Sequence, residues 1–405
     1  MEASVENLPR LLYIGDVPVE ASYHGSALLH RLLKNYPHGK LRVVEAGFQS
    51  SLPERRLKDI DYKYFAQPLG RLHLTRLHAW HGSLLSLLAP NRAASFRGLS
   101  ADFIPEAILS ITHGFSWITA GALSERLGVP LHLICHDDWP RMTRSIGLVG
   151  QWLDRRFGRV YRQAASRFCV SPYMEETYRV RYGEAGSLLY PSRATDCPKF
   201  ERPPDRLRRL PDHLTVAFAG NIASKAYVKA LQSVSEALLP LEGRLVIYGP
   251  LTQAQARAIG LVAPNIEFGG LLKSDVLVAR LREGADVLFV PMSFEKADRA
   301  NAEISFPSKL TDSTIPGIPL LICGPDYCSA VRWAKENPGA AEIVSEENVD
   351  KLSAALGRLR EPVHRWRLGE AALLNGEKFF SHSNAERTFH KALTGDLGGN
   401  GRSNS

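Results

Sequence analysis

The sequence EISFPSKLTDSTIPGIPLLI, residues 303–322, predicts a short helix that leads directly into a buried strand. Pro307 suits the start of a helix, Ser308 suits its first turn, and Pro316–Gly317 ends it about two turns later. The apolar run over 319–322 then predicts a strand covered on both faces. A helix followed at once by such a strand is typical of an α/β fold with a parallel sheet.

Lys309 and Asp312 lie three residues apart in this segment, so a helix places them on one face. A lysine in the first turn is unfavourable beside the positive end of the helix dipole. This misfit indicates a bound anion, for which a diphosphate is the natural candidate. Asp312 could then accept two hydrogen bonds from a ribose diol. A surface Lys–Asp pair without a ligand is the alternative.

Short apolar runs alternate with longer amphipathic segments over most of the chain, on both sides of residues 303–322. This alternation predicts βαβ units and parallel sheets. Because the pattern lapses at 197–213 and then restarts, we expect two doubly wound domains facing each other across a cleft. The predicted strands are 11–14, 41–46, 107–112, 131–135, 167–170, 214–219, 244–248, 265–268, 287–290, 319–322 and 341–344.

The segment 197–213 has the composition of a linker, since it is rich in prolines and charged residues and has no periodicity. It separates two predicted domains, 1–196 and 214–380. We expect a C-terminal helix over 381–395 that returns to the first domain. The last residues, 396–405, are polar and rich in glycine, which predicts a disordered tail.

The composition excludes several classes of protein. Apolar residues make up 44% and charged residues 23% of the 405 residues, which is ordinary for a globular protein. Apolar runs are too short to predict a transmembrane helix, and the first of them is too short for a signal peptide. The five cysteines are scattered, so we expect reduced thiols in a cytoplasmic protein, without a disulfide framework or a zinc site.

The formal charge of +8 is concentrated in the first half of the chain, where residues 1–200 carry 25 Lys/Arg against 18 Asp/Glu. A basic half predicts an anionic partner, which could be a membrane surface, a nucleic acid or a phosphorylated substrate. Chance surface composition is the alternative. Because the sequence contains no nucleic-acid recognition motif, we expect no specific nucleic acid partner.

Two stretches of the first half could meet an anionic surface. Residues 71–88 place apolar side chains at helical spacing, as in helices that lie on anionic lipid, although packing of this stripe in the core is the alternative. Residues 155–162 form a basic ridge that either faces solvent or contacts phosphates. The stripe is Leu74, Leu77, Trp80, Leu84 and Leu88, opposite Arg71, Arg76, His78 and His81, and the ridge is Arg155, Arg156, Arg159 and Arg162.

Histidines occupy the first loop position after two predicted strands. His113 follows the strand 107–112, and His136 follows the strand 131–135. A histidine at this place can donate to a substrate hydroxyl or stabilise developing charge, whereas a helix-capping role is the alternative. Asp137 and Asp138 come next and could form a metal pair, but adjacent residues of an extended loop point in opposite directions. We therefore do not expect a metal site there.

Glycines precede two predicted helices at places where an anion could bind. The loop from Gly15 to Gly25 ends at a helix N-terminus, which offers free N–H groups and a positive dipole. Its spacing fits neither GxGxxG nor a P-loop, and a simple helix cap is the alternative. In the second half, Gly220 and Asn221 come before Lys225 at the start of a predicted helix, where a solvated lysine is the alternative.

With these loops the chain resembles the GT-B glycosyltransferases, and in particular the retaining enzymes of glycosyltransferase family 4, over about residues 10–380. The segment Phe306-Pro-Ser-Lys309-Leu with Gly317-x-Pro319 matches the family variant F-P-S-K-L-x-E-Y-x-x-x-G-x-P. The segments 265–269 and 285–291 resemble its N-V-x-F-x-G … A-D-V-x-x-x-P stretch. The glycine loop before the first helix, His113 and His136 match in position.

The acidic pair of the family, Glu-x7-Glu, is altered in this chain. Asp312 takes the place of the second glutamate when the motif is anchored on Gly317-x-Pro319, and Ile304 takes the place of the first. Glu303 is one residue away from that place. Glu295 and Glu303 keep the spacing of the pair but lie too far before Gly317. Either of them could orient the hydroxyls of the donor sugar.

The resemblance implies two Rossmann-like domains, of which the first binds the acceptor and the second the nucleotide sugar. It implies that His113, Lys309 and Glu303 are catalytic, with Lys309 neutralising the leaving diphosphate and His113 contacting the transferred sugar. The implied donor-binding residues are Gly25, Gly220, Asn221, Lys225, Leu271, Leu272, Glu295, Ser308 and Asp312, and the implied acceptor or sugar pocket is His24, His136, Asp137 and Trp139; no metal ligand is implied.

The activity implied by the resemblance is transfer of a hexose from a nucleotide diphosphate sugar to a glycan, lipid-linked or small-molecule acceptor. Retention of the anomeric configuration is expected, with no metal and no other cofactor, and UDP is slightly favoured over GDP as the nucleotide. The expected location is the cytoplasm, with peripheral contact at the inner face of an anionic membrane. A nucleotide-sugar epimerase of the same fold and a non-catalytic scaffold for glycan assembly are the alternatives.

Overall fold

A computed structural model describes residues 7–21, 25–68, 70, 72, 75–99, 102–143, 145–222 and 224–395, with the backbone alone for 97–99. The chain divides into two compact units. The first comprises the residues up to Tyr190 together with those from His382 onward, and the second runs from Pro191 to Ser381. Both are built on a parallel sheet with helices packed against it, as the alternation of apolar runs predicts.

In the described part of the first unit, seven parallel strands form one sheet in the order β3-β2-β1-β4-β5-β6-β7. The five central strands are almost completely buried, because helices cover both faces of the sheet. The strands are β1 Leu11–Gly15, β2 Leu41–Glu45, β3 Asp61–Tyr64, β4 Ala107–Ile111, β5 Leu131–Cys135, β6 Ser166–Cys169 and β7 Ser187–Leu188. The helices are α1 Gly25–Leu33, α2 His78–Leu99, α3 Ser116–Leu127, α4 Trp139–Met142, α5 Val149–Gln163 and α6 Pro172–Tyr182.

In the described part of the second unit, six parallel strands form a sheet in the order β10-β9-β8-β11-β12-β13. Its core is formed by side chains of these strands and of the helices on either face. The strands are β8 Thr215–Ala219, β9 Arg244–Tyr248, β10 Ile266–Gly270, β11 Val287–Pro291, β12 Leu320–Cys323 and β13 Glu342–Val344. The helices are α7 Lys225–Leu238, α8 Gln253–Ala258, α9 Ser274–Gly284, α10 Arg299–Ala302, α11 Ser308–Ser313, α12 Ser329–Glu336, α13 Val349–Arg358 and α14 Pro362–Phe380.

The last described helix, α15 His382–Leu393, belongs to the first unit, as the sequence predicts. Phe389 is fully buried in the core of that unit, and its ring centroid lies 5.6 Å from that of Phe168 on β6. The Glu386 carboxylate accepts a hydrogen bond of 3.0 Å from the Asn35 side chain, just beyond α1. The chain therefore leaves the first unit after β7 and returns to complete its core.

The segment 197–213 lies within the second unit and is packed against it, whereas its composition predicts a linker. It contains a short 3-10 helix, Asp205–Arg208, whose Leu207 side chain is fully buried. Arg206 pairs with the Asp286 carboxylate at 2.7 Å, and Arg365 donates to the Leu207 carbonyl oxygen at 3.2 Å. These long-range contacts attach the segment to the second unit. Local composition cannot predict them, so it predicts a linker instead.

The strands β3 and β7 are absent from the sequence prediction. The residues of β3 are polar and half-exposed because it is an edge strand, and β7 has only two residues. Neither therefore has the apolar run on which the prediction depends.

None of the helices in the described part of the chain combines the length and the apolar character that crossing a bilayer requires.

Candidate functional site

The first cluster of predicted residues lies at the carboxyl edge of the first sheet. Ile111 on β4 and Ile134 on β5 are register partners, so His113 and His136, each two residues later, emerge side by side. Their rings stack with centroids 5.4 Å apart and planes 21° apart. The equivalent positions of the two histidines in the sequence thus become a direct contact.

Asp137 and Trp139 complete this cluster. An Asp137 carboxylate oxygen lies 2.9 Å from His136 Nε2 and 3.8 Å from His113 Nδ1, and the Trp139 ring centroid lies 4.3 Å from that of His113. The carboxylate fixes the orientation of the His136 ring. Trp139 Nε1 and the Nδ1 atoms of both histidines are buried without hydrogen-bond partners in the described part of the chain. Such unsatisfied groups are typical of a site that water or a ligand completes.

Asp138 points away from this cluster, as expected for the neighbour of Asp137 in an extended loop. Its carboxylate is 1% exposed and lies 2.9 Å from Arg181 Nη1, and it accepts a hydrogen bond of 3.3 Å from the Tyr178 hydroxyl. The two aspartates therefore form no metal pair. The ligand atoms of His113, His136 and Asp137, however, lie within 4.8 Å of one another and could together hold a metal ion.

Gly25 brings the start of α1 next to the same cluster. A Cβ atom at this position would lie 3.4 Å from His136 Nε2, so the glycine leaves space beside the imidazole. The first N–H groups of α1, which no helical carbonyl satisfies, therefore begin close to the histidines. His24 was predicted for the same pocket, but it lies outside the described residues.

Asp16, which the sequence analysis does not select, holds this region together. Its carboxylate accepts hydrogen bonds from the backbone N–H groups of Phe115 at 2.8 Å and Ser116 at 2.6 Å, at the start of α3. Gly114 has φ +63°, and a side chain there would overlap the Asp16 carboxylate. Asp16 therefore fixes the loop that carries His113. It follows β1 directly, and that position is the signal that could have identified it.

The second cluster lies at the carboxyl edge of the second sheet and is centred on Lys309. The Lys309 ammonium donates to the Asn221 carbonyl oxygen at 2.9 Å and lies over the rings of Tyr227, at 4.1 Å, and Phe218, at 4.9 Å. Gly220 has φ +149°, and a Cβ there would lie 2.5 Å from Lys309 Cε. The glycine is therefore required both by the backbone and by the close approach of the lysine.

The electrostatics of Lys309 are unusual for a lysine. Burial lowers the pKa of its ammonium to about 8, because the charged form loses its water. In the described part of the chain no carboxylate lies within ion-pair distance of this ammonium. A partly buried cation without an anion loses hydration without compensation, so this arrangement is typical of a site that receives an anionic ligand.

Lys225 and Ser224 mark the start of α7 close to Lys309. The Ser224 hydroxyl accepts from the Tyr227 N–H at 3.5 Å, and Tyr227 is the ring under the Lys309 ammonium. Lys225 itself is exposed. The amino end of a 14-residue helix thus lies beside Lys309, and both favour a negative charge.

The acidic candidates lie in different surroundings. Asp312 is half-buried on α11, and Ser308 is the first residue of that helix. Burial of Arg193 lowers the pKa of its guanidinium, and the negative charge of Asp312 opposes this shift. Glu303 accepts a hydrogen bond of 2.7 Å from Arg299, one turn earlier. Glu295 is exposed and lines a pocket with Ala226 of α7. The structure therefore brings Glu295 close to the helix that adjoins Lys309.

Glycine backbone forms the edge of this second cluster. The Gly249 N–H donates to the Gly270 carbonyl oxygen at 3.0 Å, and a side chain at Gly249 would overlap the Gly220 carbonyl oxygen. The carboxyl ends of β8, β9 and β10 therefore meet through backbone alone. Leu271 and Leu272 follow directly, and Leu271 is exposed. The predicted donor-binding residues Leu271 and Leu272 thus directly follow the glycine that contacts Gly249.

No protein-family model matches this sequence, and no curated protein matches it. Solved structures do match its fold. Anabaena Alr3699/HepE in complex with UDP and glucose aligns with TM-score 0.66 at 14% identity, over 95% of this chain and 99% of that chain. Sucrose-phosphate synthase from Thermosynechococcus elongatus aligns with TM-score 0.65 at 15% identity, over 96% and 98%. The lipopolysaccharide outer core galactosyltransferase WaaB aligns with TM-score 0.60 at 15% identity, over 96% and 99%. The chain therefore has the GT-B fold of these glycosyltransferases.

Proposed function

We propose that the protein is a glycosyltransferase that moves a hexose from a nucleotide diphosphate sugar to a glycan, lipid-linked or small-molecule acceptor. The observation that carries this proposal is the partly buried Lys309 ammonium, which has no ion-pairing carboxylate in the described chain. A diphosphate would supply the missing anion. The similarity of the fold to glycosyltransferases supports the same reaction class.

In this proposal the second unit binds the donor. The diphosphate lies against the Lys309 ammonium and the amino end of α7, where Lys225 adds a second positive charge. The base lies along Leu271 and Leu272, against glycine backbone, and Asp312 accepts from the ribose hydroxyls. UDP remains favoured over GDP, and the presence of UDP in the solved structures of Anabaena Alr3699/HepE supports this choice.

The cluster of His113, His136, Asp137 and Trp139 is proposed to hold the transferred sugar and the acceptor hydroxyl. Imidazole N–H groups donate to sugar hydroxyls, and the Trp139 ring offers a flat apolar surface to a hexose. Gly25 leaves space for the donor beside His136. For the remaining donor hydroxyls Glu295 is the better candidate than Glu303, because Arg299 already engages the Glu303 carboxylate.

During transfer the bond between the anomeric carbon and the phosphate oxygen breaks, and its electron pair leaves with the diphosphate. The acceptor hydroxyl forms the new bond and passes its proton to the leaving diphosphate oxygen. Positive charge develops on the sugar and negative charge on the diphosphate, so fixed positive groups at the diphosphate contribute most to catalysis. We propose attack from the face that the leaving group occupied, which retains the anomeric configuration.

We propose that the reaction needs no metal, because Lys309 and the amino end of α7 would supply the positive charge at the diphosphate. Activity that survives a chelator would support this, and activity that depends on added Mg²⁺ or Mn²⁺ would contradict it. A cytoplasmic location is also proposed, and the free cysteines Cys135, Cys169, Cys197, Cys323 and Cys328 support it.

The first experiment is a thermal-shift screen with UDP-, GDP-, ADP-, CDP- and dTDP-sugars on the wild type and on Lys309→Ala. A ligand at 100 times its Kd stabilises the folded state by about 2.7 kcal/mol. We expect a shift with one nucleotide class that Lys309→Ala abolishes. Lys335→Ala is the matched control, because Lys335 is exposed and already pairs with Asp326.

Absence of a shift with every nucleotide would refute the donor site. Where a donor binds, release of the nucleoside diphosphate is measured with and without added glycans and lipid extracts. Release that depends on the acceptor supports transfer. Conversion of the donor sugar without any acceptor would instead support a nucleotide-sugar epimerase, and binding without turnover would support a scaffold.

A further inference from the structure

An apolar stripe on α2 is exposed to solvent instead of packing in the core. Trp80 is 59% exposed, and Leu87 and Leu88, two turns later on the same face, are also exposed. The helix buries its opposite face, which carries His81, Leu85, Ala89, Ala93 and Phe96. The alternative that the predicted stripe is core is therefore wrong for Leu77, Trp80 and Leu88; Leu74 lies outside the described residues.

The loop before α5 extends this exposed surface. The Ile146 N–H donates to the Ser83 hydroxyl at 3.0 Å, and Ser83 lies on α2 between Trp80 and Leu87. Residues three and four apart are neighbours on a helix surface, so the loop is adjacent to both side chains. Ile146 is exposed, and Leu148 is 76% exposed.

We call the exposed side chains of Trp80, Leu87, Leu88, Met142, Ile146 and Leu148 the apolar patch. Single exposed apolar residues are ordinary, whereas a group of them on one surface marks an interaction site. Val180 on α6 illustrates the ordinary case. It is 78% exposed, but its neighbours on the helix surface, Glu176 and Thr177, are polar.

Basic side chains continue the patch along α5. The Trp152 N–H donates to the Leu148 carbonyl oxygen, so Leu148, Trp152 and then Arg155 and Arg159 follow one another on one face of the helix. Arg155 and Arg159 are exposed, although Arg159 lies 3.5 Å from the Glu125 carboxylate. Arg141, next to Met142, is also exposed. Apolar side chains bordered by arginines are complementary to an anionic lipid surface.

The helix α4 connects the apolar patch to the cluster around His113. It begins with Trp139, whose ring packs on His113, and ends with Met142 in the patch. Four helical residues span only about 5 Å along the axis. A lipid held at the patch would therefore place its polar end close to the histidines.

We infer that the apolar patch docks the protein on an anionic lipid bilayer, and that the acceptor is a lipid-linked sugar or lipid hydroxyl presented there. The docking surface stands on the geometry of the first unit alone, whereas the class of acceptor rests on the proposed function. The apolar side chains enter the interface between headgroups and acyl chains, and the arginines contact lipid phosphates.

The test is sedimentation of the full chain with phosphatidylcholine vesicles, with and without phosphatidylglycerol. We expect binding only when the anionic lipid is present. The Trp80→Ser/Leu148→Ser variant should bind at least about tenfold more weakly, because two large apolar contacts are lost. Arg155→Gln should cost about fivefold. Val180→Ser is the matched control and should bind as the wild type does.

These substitutions replace exposed side chains, so melting temperatures without vesicles should match that of the wild type. Equal binding of wild type and Trp80→Ser/Leu148→Ser, or no binding to either vesicle, would overturn the inference. So would a stable dimer in light scattering that Trp80→Ser converts to a monomer, because a second copy would then cover the patch.

The donor experiment contains no lipid, so the two proposals can fail separately. A donor shift that depends on Lys309 together with failed vesicle binding would remove the docking surface and leave the glycosyltransferase. Vesicle binding without any donor shift would keep the docking surface and remove the lipid acceptor together with the proposed function.

Discussion

The two clusters of candidate residues are built on different principles. His113, His136 and Asp137 in the first unit contact one another, so each side chain interacts with the other two. Lys309 in the second unit is a single, partly buried cation that contacts aromatic rings and one backbone carbonyl. The first arrangement suits the orientation of hydroxyl groups, and the second suits the binding of an anion.

The largest effect is expected when the Lys309 cation is removed. Lys309→Ala should lower kcat/KM by about a hundred- to a thousandfold, the range for loss of one fixed group that stabilises developing negative charge. His113→Ala should cost about ten- to a hundredfold, as for a hydrogen bond at the sugar, while the thermal shift with donor persists. Steady-state kinetics and thermal shift on both variants check this. A lost donor shift in His113→Ala would contradict the division of roles.

Substitution of the adjacent residues Asp137 and Asp138 should separate an effect on activity from an effect on stability. Asp138→Ala should lower the free energy of unfolding by roughly 3 kcal/mol, because it leaves Arg181 without its buried partner. Asp137→Ala should change stability little and lower activity instead. Denaturant unfolding and kinetics on both variants check this pair. Equal destabilisation by the two substitutions would mean that Asp137 is structural.

Gly220→Ala should weaken the second cluster without touching the first. The new methyl group would lie 2.5 Å from Lys309 Cε and would displace the lysine, while the φ of +149° adds backbone strain. We expect a loss of about 1 to 3 kcal/mol in unfolding free energy together with weaker donor binding. Gly357→Ala on α13 meets no neighbouring atom and is the control, with unchanged donor affinity. Unchanged donor affinity in Gly220→Ala would contradict the packing argument.

The smallest effect is a pH dependence of donor affinity. The charged form of Lys309 binds the diphosphate, and its pKa is about 8 in the free protein. Affinity should therefore be constant below about pH 7 and fall as the pH rises through 8, by about tenfold between pH 7 and pH 9. Calorimetric titration at these two pH values checks the sign. An affinity that rises with pH would show that the neutral amine is the binding form.

The sequence predicts the first cluster better than the second because of strand register. His113 and His136 lie at equivalent positions after neighbouring parallel strands, so the alternation of strands and helices already brings them together. The hydrogen bonds of Asp16 could not be predicted from local sequence, because its partner Phe115 lies 99 residues later. Its position directly after β1 was the available signal.

For Lys309 the sequence predicts a role in anion binding but not its surroundings. Its aromatic neighbour Tyr227 is more than 80 residues away, and no periodicity indicates that contact.

For α2 the sequence predicts the helix but not which of its faces is buried. Helical spacing of apolar residues indicates an amphipathic helix, but His81, Ala89 and Ala93 lie on the buried face, and Trp80 faces solvent. The residue types of a helix alone do not decide which of its faces packs against the rest of the unit.

The return of α15 to the first unit has a consequence for synthesis of the protein. The second unit is one continuous segment, Pro191–Ser381, whereas the first lacks Phe389 and the rest of α15 until translation has passed them. The ribosome therefore releases a complete second unit before the amino-terminal one can close its core. Domains that are complete generally fold first during translation, so the part of the chain that is made first is expected to be the last to reach its native state.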